Sequence, residues 1–319
     1  MTEKSAVRRN LNVEIWRILF CIVIVIYHVG MVFEKNILGV GYLCVEFYFL
    51  LSGYGLYRAY VSKRSRNQKL RVWAEYAKNR FLRLYPLYLG AMAAMLAVRL
   101  ITGETILSRL PEQIRDCAAE FVMLQCSPLG NSVLVLTDWY VATLFWGSLL
   151  FMLLLLIGGR VTAWVICPVT ALVIYGYYAR LIAKIDVIVA HYGFLRALAG
   201  IGLGIFLGAV TEAVAGRNGA YGADKTQMKE LRKGLRKVLA PAANLLLLGI
   251  TVYYQFGVRS LWDFVIIGLF FAALLCMLPG ENGWLSRFEG PIRRLSGLTY
   301  PVYLFQLPVL TLIAYLAGR

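Results

Sequence analysis

The sequence predicts an all-α polytopic membrane protein, a bundle of about nine to ten transmembrane helices with a cytoplasmic amino terminus. Three observations lead there. Apolar residues make up 60% of the 319-residue chain and charged residues only 16%, against roughly 45–50% and 25% in soluble domains. The mean hydropathy is +0.67. The apolar residues also fall into runs long enough to cross a bilayer, which takes about 20 residues each.

Taken in order, the runs cover residues 13–33, 38–57, 81–101, 139–157, 161–179, 195–212, 239–256, 261–278 and 298–316. The first two are uninterrupted except for a few ionisable residues. The third begins where a long basic loop ends, and Arg160 separates the fourth from the fifth. A basic segment near residue 230 precedes the seventh, and Pro301 and Pro308 interrupt the ninth. The stretch 117–137 is apolar in places, but Gln125, Pro128, Gly130 and Asn131 break it, so it reads as an interfacial or re-entrant segment. Nothing outside the runs is large enough for a second domain, and residues 1–319 read as one membrane domain.

The net charge of +16 comes from 33 Lys and Arg against 17 Asp and Glu. A nucleic-acid binder would gather such charge on one soluble face. Here the basic residues punctuate apolar runs, which excludes nucleic acid as a partner and makes the bilayer the first one. With the amino terminus inside, 23 basic residues fall on the cytoplasmic side and nine on the other, as the positive-inside rule requires. The first run is too long for a cleavable signal and no small-residue cleavage site follows it. The location is therefore the cell membrane, crossed many times. The six cysteines form no CxxC pair and no metal-ligand spacing with the two histidines, so no metal is expected. Cys117 and Cys126 share one long loop and are the candidates for a disulfide.

An ionisable residue in the hydrocarbon costs at least ~2.5–3.5 kcal/mol and so marks a candidate site. The first run carries Glu14, Arg17 and His28. Arg17 and His28 are eleven residues apart, about three helical turns, so they share one face some ~16 Å apart along the axis. Glu46, in the second run, falls near the depth of His28, where a carboxylate could fix the imidazole tautomer. Arg80 and Arg83 share a face at i, i+3 where the basic loop enters the bilayer. Their guanidinium forks suit a phosphorylated donor.

In these residues the chain resembles the membrane acyltransferase family 3, bacterial integral-membrane proteins that mostly O-acylate surface glycans. Arg17 and His28 match that family's Arg–ten residues–His motif. Glu46 through Gly53 resembles its acidic–aromatic–aromatic–Ser-Gly signature, and Arg80 with Arg83 its Arg-x-x-Arg pair. Trp139-Tyr140 resembles the opening of its fourth span, and Gly193 to Arg196 running into Gly200 and Gly204 a later segment. Residues 295–304, with Tyr300 and Tyr303, resemble its Ser-Tyr-x-x-Tyr-Leu helix. The chain departs from the family at Gln306, where many relatives have His, and it lacks the soluble transferase domain that some relatives append.

The resemblance implies acyl transfer from cytoplasmic acyl-CoA, most often acetyl-CoA, to a hydroxyl of a cell-surface or lipid-linked glycan. Arg17, Arg80 and Arg83 would hold the CoA phosphates. His28 would be the general base or acyl carrier, and Glu46 would orient its ring. Tyr300 or Tyr303 would donate to the oxyanion or meet the acceptor. A separate periplasmic or extracellular transferase is an expected partner if the membrane domain does not finish the transfer itself. The competing reading is a transporter or flippase for a polysaccharide or lipid-linked sugar, with His28 and Glu46 as a proton relay. Transporters favour broken helices in matching halves, and Pro301 and Pro308 have no counterpart in the first half.

Overall fold

The computed structural model describes residues 10–64, 66, 68–127, 133–187, 191–216, 225–257, 260–278 and 282–318, with backbone alone over 215–216 and 225–237. The basic leader, Pro128, Gly130, Asn131, Arg217, Arg259 and Arg319 lie outside the described residues, as do the side chains of the basic run at 225–237. Among the described residues the chain is helical and contains no strand.

Each of the nine expected runs has a helix. They are α1 (Leu11–Val32), α2 (Cys44–Val61), α3 (Lys69–Thr102), α6 (Trp139–Val161), α7 (Cys167–Tyr177), α8 (His191–Gly216), α9 (Lys225–Phe256), α10 (Trp262–Met277) and α11 (Glu289–Leu316). The short helices α4 (Leu110–Asp116) and α5 (Ala118–Phe121) lie in the segment between α3 and α6. Six helical stretches are long and apolar enough to cross a membrane by themselves, fewer than the nine runs. The physical reasons are local. α6 and α7 join through a π-helical turn into one stretch, Leu136–Ile182. α10 is short, and α2 is diluted by Glu46 and Arg58.

Capping fixes where α1 starts. The Asn10 side chain accepts the Val13 N–H at 3.2 Å, filling one of the orphan donors of the first turn. Its amide donates to Met277 O at 2.6 Å, and Asn282 Oδ1 accepts the Leu11 N–H at 2.8 Å. The first turn of α1 is thereby tied to the end of α10 and to the connection between α10 and α11. α3 has 34 residues, about 50 Å at ~1.5 Å per residue. That exceeds a ~30 Å hydrocarbon core, so its polar first turns extend beyond the apolar zone. The helix starts twelve residues before the expected run; Pro86, which falls within that run, lies inside the helix, and Pro241 lies inside α9. Broken helices are thus not confined to the carboxyl-terminal part, contrary to the sequence expectation. α6 breaks at Gly159, whose φ of 51° and ψ of −118° leave the helical region.

α2 packs on α8 backbone to backbone. A Cβ on Gly53 would lie 2.1 Å from Ile201 O, and one on Gly204 2.2 Å from Leu50 O. Only glycine lets the two helices come this close, the small-residue contact that membrane bundles use in place of a hydrophobic driving force. Cys117 and Cys126 are free thiols, so the candidate disulfide is absent. In the same segment Glu120 is fully buried, and its two carboxylate oxygens accept the Leu134 N–H at 2.5 Å and the Val135 N–H at 3.0 Å. This ties the loop to the start of α6.

Candidate active site

α1, α2, α3, α6 and α11 enclose a cavity of about 800 Å³. Along α1 and α3 the main lining residues recur every three or four positions, as on a helical face. From α1 these are Val13, Arg17, Cys21 and Ile24; from α3, Tyr76, Arg80, Arg83 and Leu87. The end holding Arg17, Arg80 and Arg83 is the basic end, and the deep end is closed by Ile24, Tyr140 and Tyr303. The structure therefore brings the three expected arginines to one cavity. Arg17 pairs with Glu14 at 2.6 Å. Arg80 is nine-tenths buried, its guanidinium lies 5.9 Å from the centre of the Tyr76 ring, and its Nε has no hydrogen-bond partner. Arg83 is exposed at the cavity wall. A fourth arginine, Arg58, completes the set, leaving four guanidinium groups against the single carboxylate of Glu14.

His28 stands one turn beyond Ile24, half-buried, and is not among the lining residues. Its Nδ1 lies 2.8 Å from Ile24 O. A carbonyl only accepts, so Nδ1 carries the proton and Nε2 of the neutral ring keeps its lone pair. The Gln306 side chain faces the same ring.

Glu46 does not orient this imidazole. Its carboxylate is fully buried, with Oε1 accepting from Arg196 Nε at 2.5 Å and Oε2 from the Tyr175 hydroxyl at 2.7 Å. Arg196 also donates to Tyr42 O at 3.0 Å and lies 5.2 Å from the centre of the Trp139 ring. Arg196, the second residue of the sixth expected run, is 1% exposed, inside the bundle. A buried carboxylate needs a partner, and a guanidinium supplies more donors than an imidazole. The signal in the sequence was an arginine one turn before Gly200, on the helix face that approaches α2.

The tyrosines also differ from expectation. The Tyr300 hydroxyl donates to Leu84 O at 2.7 Å and the Tyr303 hydroxyl to Thr137 O at 2.9 Å. With both protons on backbone carbonyls, neither is poised as an oxyanion donor, and what they contribute is cavity wall. Near Tyr303 lie acceptor oxygens, those of Asp138 unmarked in the sequence and that of Gln306 marked there only as a departure from the family's pattern. Asp138 is fully buried with neither carboxylate oxygen hydrogen-bonded, and Gln306 Oε1 is likewise buried and unpartnered. The Gln306 amide nitrogen donates to Tyr303 O at 2.9 Å.

A helical bundle with an arginine-lined interior cavity offers a site for an anionic ligand inside the membrane. The family model for an acyltransferase domain matches residues 10–319, and the chain belongs to that family of membrane acyltransferases. It is an acyltransferase and a multi-pass membrane protein, and this membership decides against the transporter reading. Neither the curated proteins nor the solved structures contain a match to the chain.

Proposed function

We propose that this protein is an O-acyltransferase that takes an acetyl group from acyl-CoA at the basic end of the cavity. It delivers that group to a hydroxyl of a cell-surface or lipid-linked glycan at the far end. The observation that carries this reading is the cavity itself, running from Arg80 and Arg83 to Ile24, one turn short of His28. The basic end is the cytoplasmic one in this proposal, consistent with 23 basic residues on that side against nine.

The arginines hold the phosphates of CoA, and the slim pantetheine arm follows α1 past Cys21 to Ile24. His28 Nε2 removes the proton of the acceptor hydroxyl as its oxygen bonds to the thioester carbonyl carbon. The carbon–sulfur bond then breaks, and the CoA thiolate takes the proton back from the imidazolium. Such general-base help is worth roughly 10²–10⁴ in rate. The unpartnered oxygens of Asp138 and Gln306 suit an acceptor rich in hydroxyl donors. Residues 1–319 work as one membrane domain, acylating the acceptor directly or through a separate extracellular transferase.

Purified protein with radiolabelled acetyl-CoA tests the proposal. The wild type hydrolyses the thioester slowly or labels an acceptor, and His28→Ala abolishes both while eluting as a folded protein. Unchanged turnover in His28→Ala rejects the assignment.

A further inference from the structure

The second helix gives a ruler for the cavity. Val45, Tyr48, Ser52, Gly55 and Arg58 line it along one face of α2. The thirteen steps from Val45 to Arg58 span about 20 Å at ~1.5 Å each. Tyr48, whose hydroxyl bonds Arg17 O, marks the level of the first arginine. Arg58 lies about 15 Å farther out, in the last turn of α2, and is the outermost cation of the wall. The short connection to α3 puts it at the same end as Tyr76, which precedes Arg80 and Arg83 on the cavity face of that helix.

Arg58 is built as a receptor for an anion. Its guanidinium lies 5.8 Å from the centre of the Tyr54 ring, another wall residue one turn deeper, which holds the fork in place. It makes no ion pair among the described residues, and the same is true of Arg80 and Arg83. Three unpaired cations at increasing depth call for a ligand with anionic groups spread along its length. A CoA thioester has that layout, with the thioester at one end, the pyrophosphate in the middle and a phosphate on the adenosine 3′-oxygen at the other. With the acyl end at Ile24, the pyrophosphate falls to the inner arginines and the outermost phosphate to the outermost arginine.

We propose that Arg58, seated on Tyr54, binds the 3′-phosphate of CoA and makes the enzyme select CoA thioesters over their 3′-dephospho forms. This rests on the acyl-CoA reading of the cavity and adds the residue that recognises the nucleotide end of the donor. Binding of CoA and of 3′-dephospho-CoA to the purified full chain, measured by calorimetry, tests it. Wild type prefers CoA by about 10- to 100-fold, the scale of one charge-assisted phosphate contact. Arg58→Ala lowers CoA affinity to that of the dephospho form, whose own affinity does not change, and Arg58→Lys keeps part of the preference. If Arg58→Ala weakens both ligands alike, or keeps the full preference, the assignment to the 3′-phosphate is overturned. Wild type that binds neither ligand overturns the acyl-CoA reading itself, a result distinct from failure of the Arg58 assignment alone.

Discussion

Glu46 on α2 and Arg196 on α8 form an ion pair of 2.5 Å in the interior of the bundle, with both side chains at 1% exposure or less. The pair sits at Gly200, where an added Cβ would lie 3.2 Å from Glu46 Oε2, about two turns from the Gly53–Gly204 crossing, and it opposes sliding of α2 along α8. The acidic residue of the second-helix motif thus acts on the scaffold that positions the cavity wall. Removing one member of such a buried pair leaves an uncompensated charge and costs about 3–5 kcal/mol.

Glu46→Ala and Arg196→Ala therefore both lower thermal stability in detergent sharply, and the double variant loses less than the two single losses added. Thermal melts of the four proteins form a cycle that reads the coupling directly. Additive losses would show that the two side chains act independently. His28→Ala, by contrast, leaves the melt close to that of wild type.

These residues show what could be read from sequence and what could not. The face shared by Arg17 and His28 followed from helical periodicity, because both residues lie on one element. Arg80 and Arg83 could be read for the same reason. The Glu46–Arg196 pair joins residues 150 apart, and no spacing rule reaches that far, so Glu46 was assigned to the nearest titratable ring at its depth. Tyr300 and Tyr303 looked like free donors because a sequence does not show which backbone carbonyls are within reach. Asp138 escaped notice, and Gln306 stood out only as a departure from the family's pattern, because an unpartnered oxygen is a property of the packed structure.

Cys21 lines the cavity between Arg17 and Ile24, with its thiol 3.5 Å from Thr299 O. Cys21→Phe places a ring across the path assigned to the pantetheine arm. Overpacking costs ~1–3 kcal/mol, so the protein still folds. CoA affinity falls at least 10-fold, while adenosine 3′,5′-bisphosphate, which has no arm, binds as before. Loss of both ligands to the same degree would place the arm elsewhere.

Gln306 offers a test on the acceptor side. Gln306→Met keeps the volume, removes an unpartnered oxygen and forfeits one hydrogen bond to Tyr303 O, worth about 1 kcal/mol. Stability changes little, thioester hydrolysis by water persists, and transfer to the acceptor drops about 5-fold or more through a raised KM for the glycan. A selective fall in donor affinity would contradict this placement of the acceptor.

Glu120 makes the loop before α6 sensitive to pH. Burial pushes its carboxyl above the ordinary value of 4.5, and the Leu134 and Val135 N–H groups oppose that shift only in part. The folded chain therefore holds this proton more tightly than the unfolded chain. The stability it contributes is complete below about pH 4.5 and declines as pH rises through the raised value. Glu120→Gln removes that decline, so melts of variant and wild type between about pH 4 and pH 8 differ in slope. Parallel curves would mean that Glu120 titrates alike in both states.

The corridor from the arginines to His28 is tested most directly by sidedness. The protein is reconstituted in vesicles of one orientation, with radiolabelled acetyl-CoA on one side and the acceptor glycan on the other. The account predicts that label reaches the acceptor when the donor faces Arg80 and Arg83, and that transfer is absent with the sides exchanged or with His28→Ala. Transfer with the donor supplied only at the opposite face would contradict it.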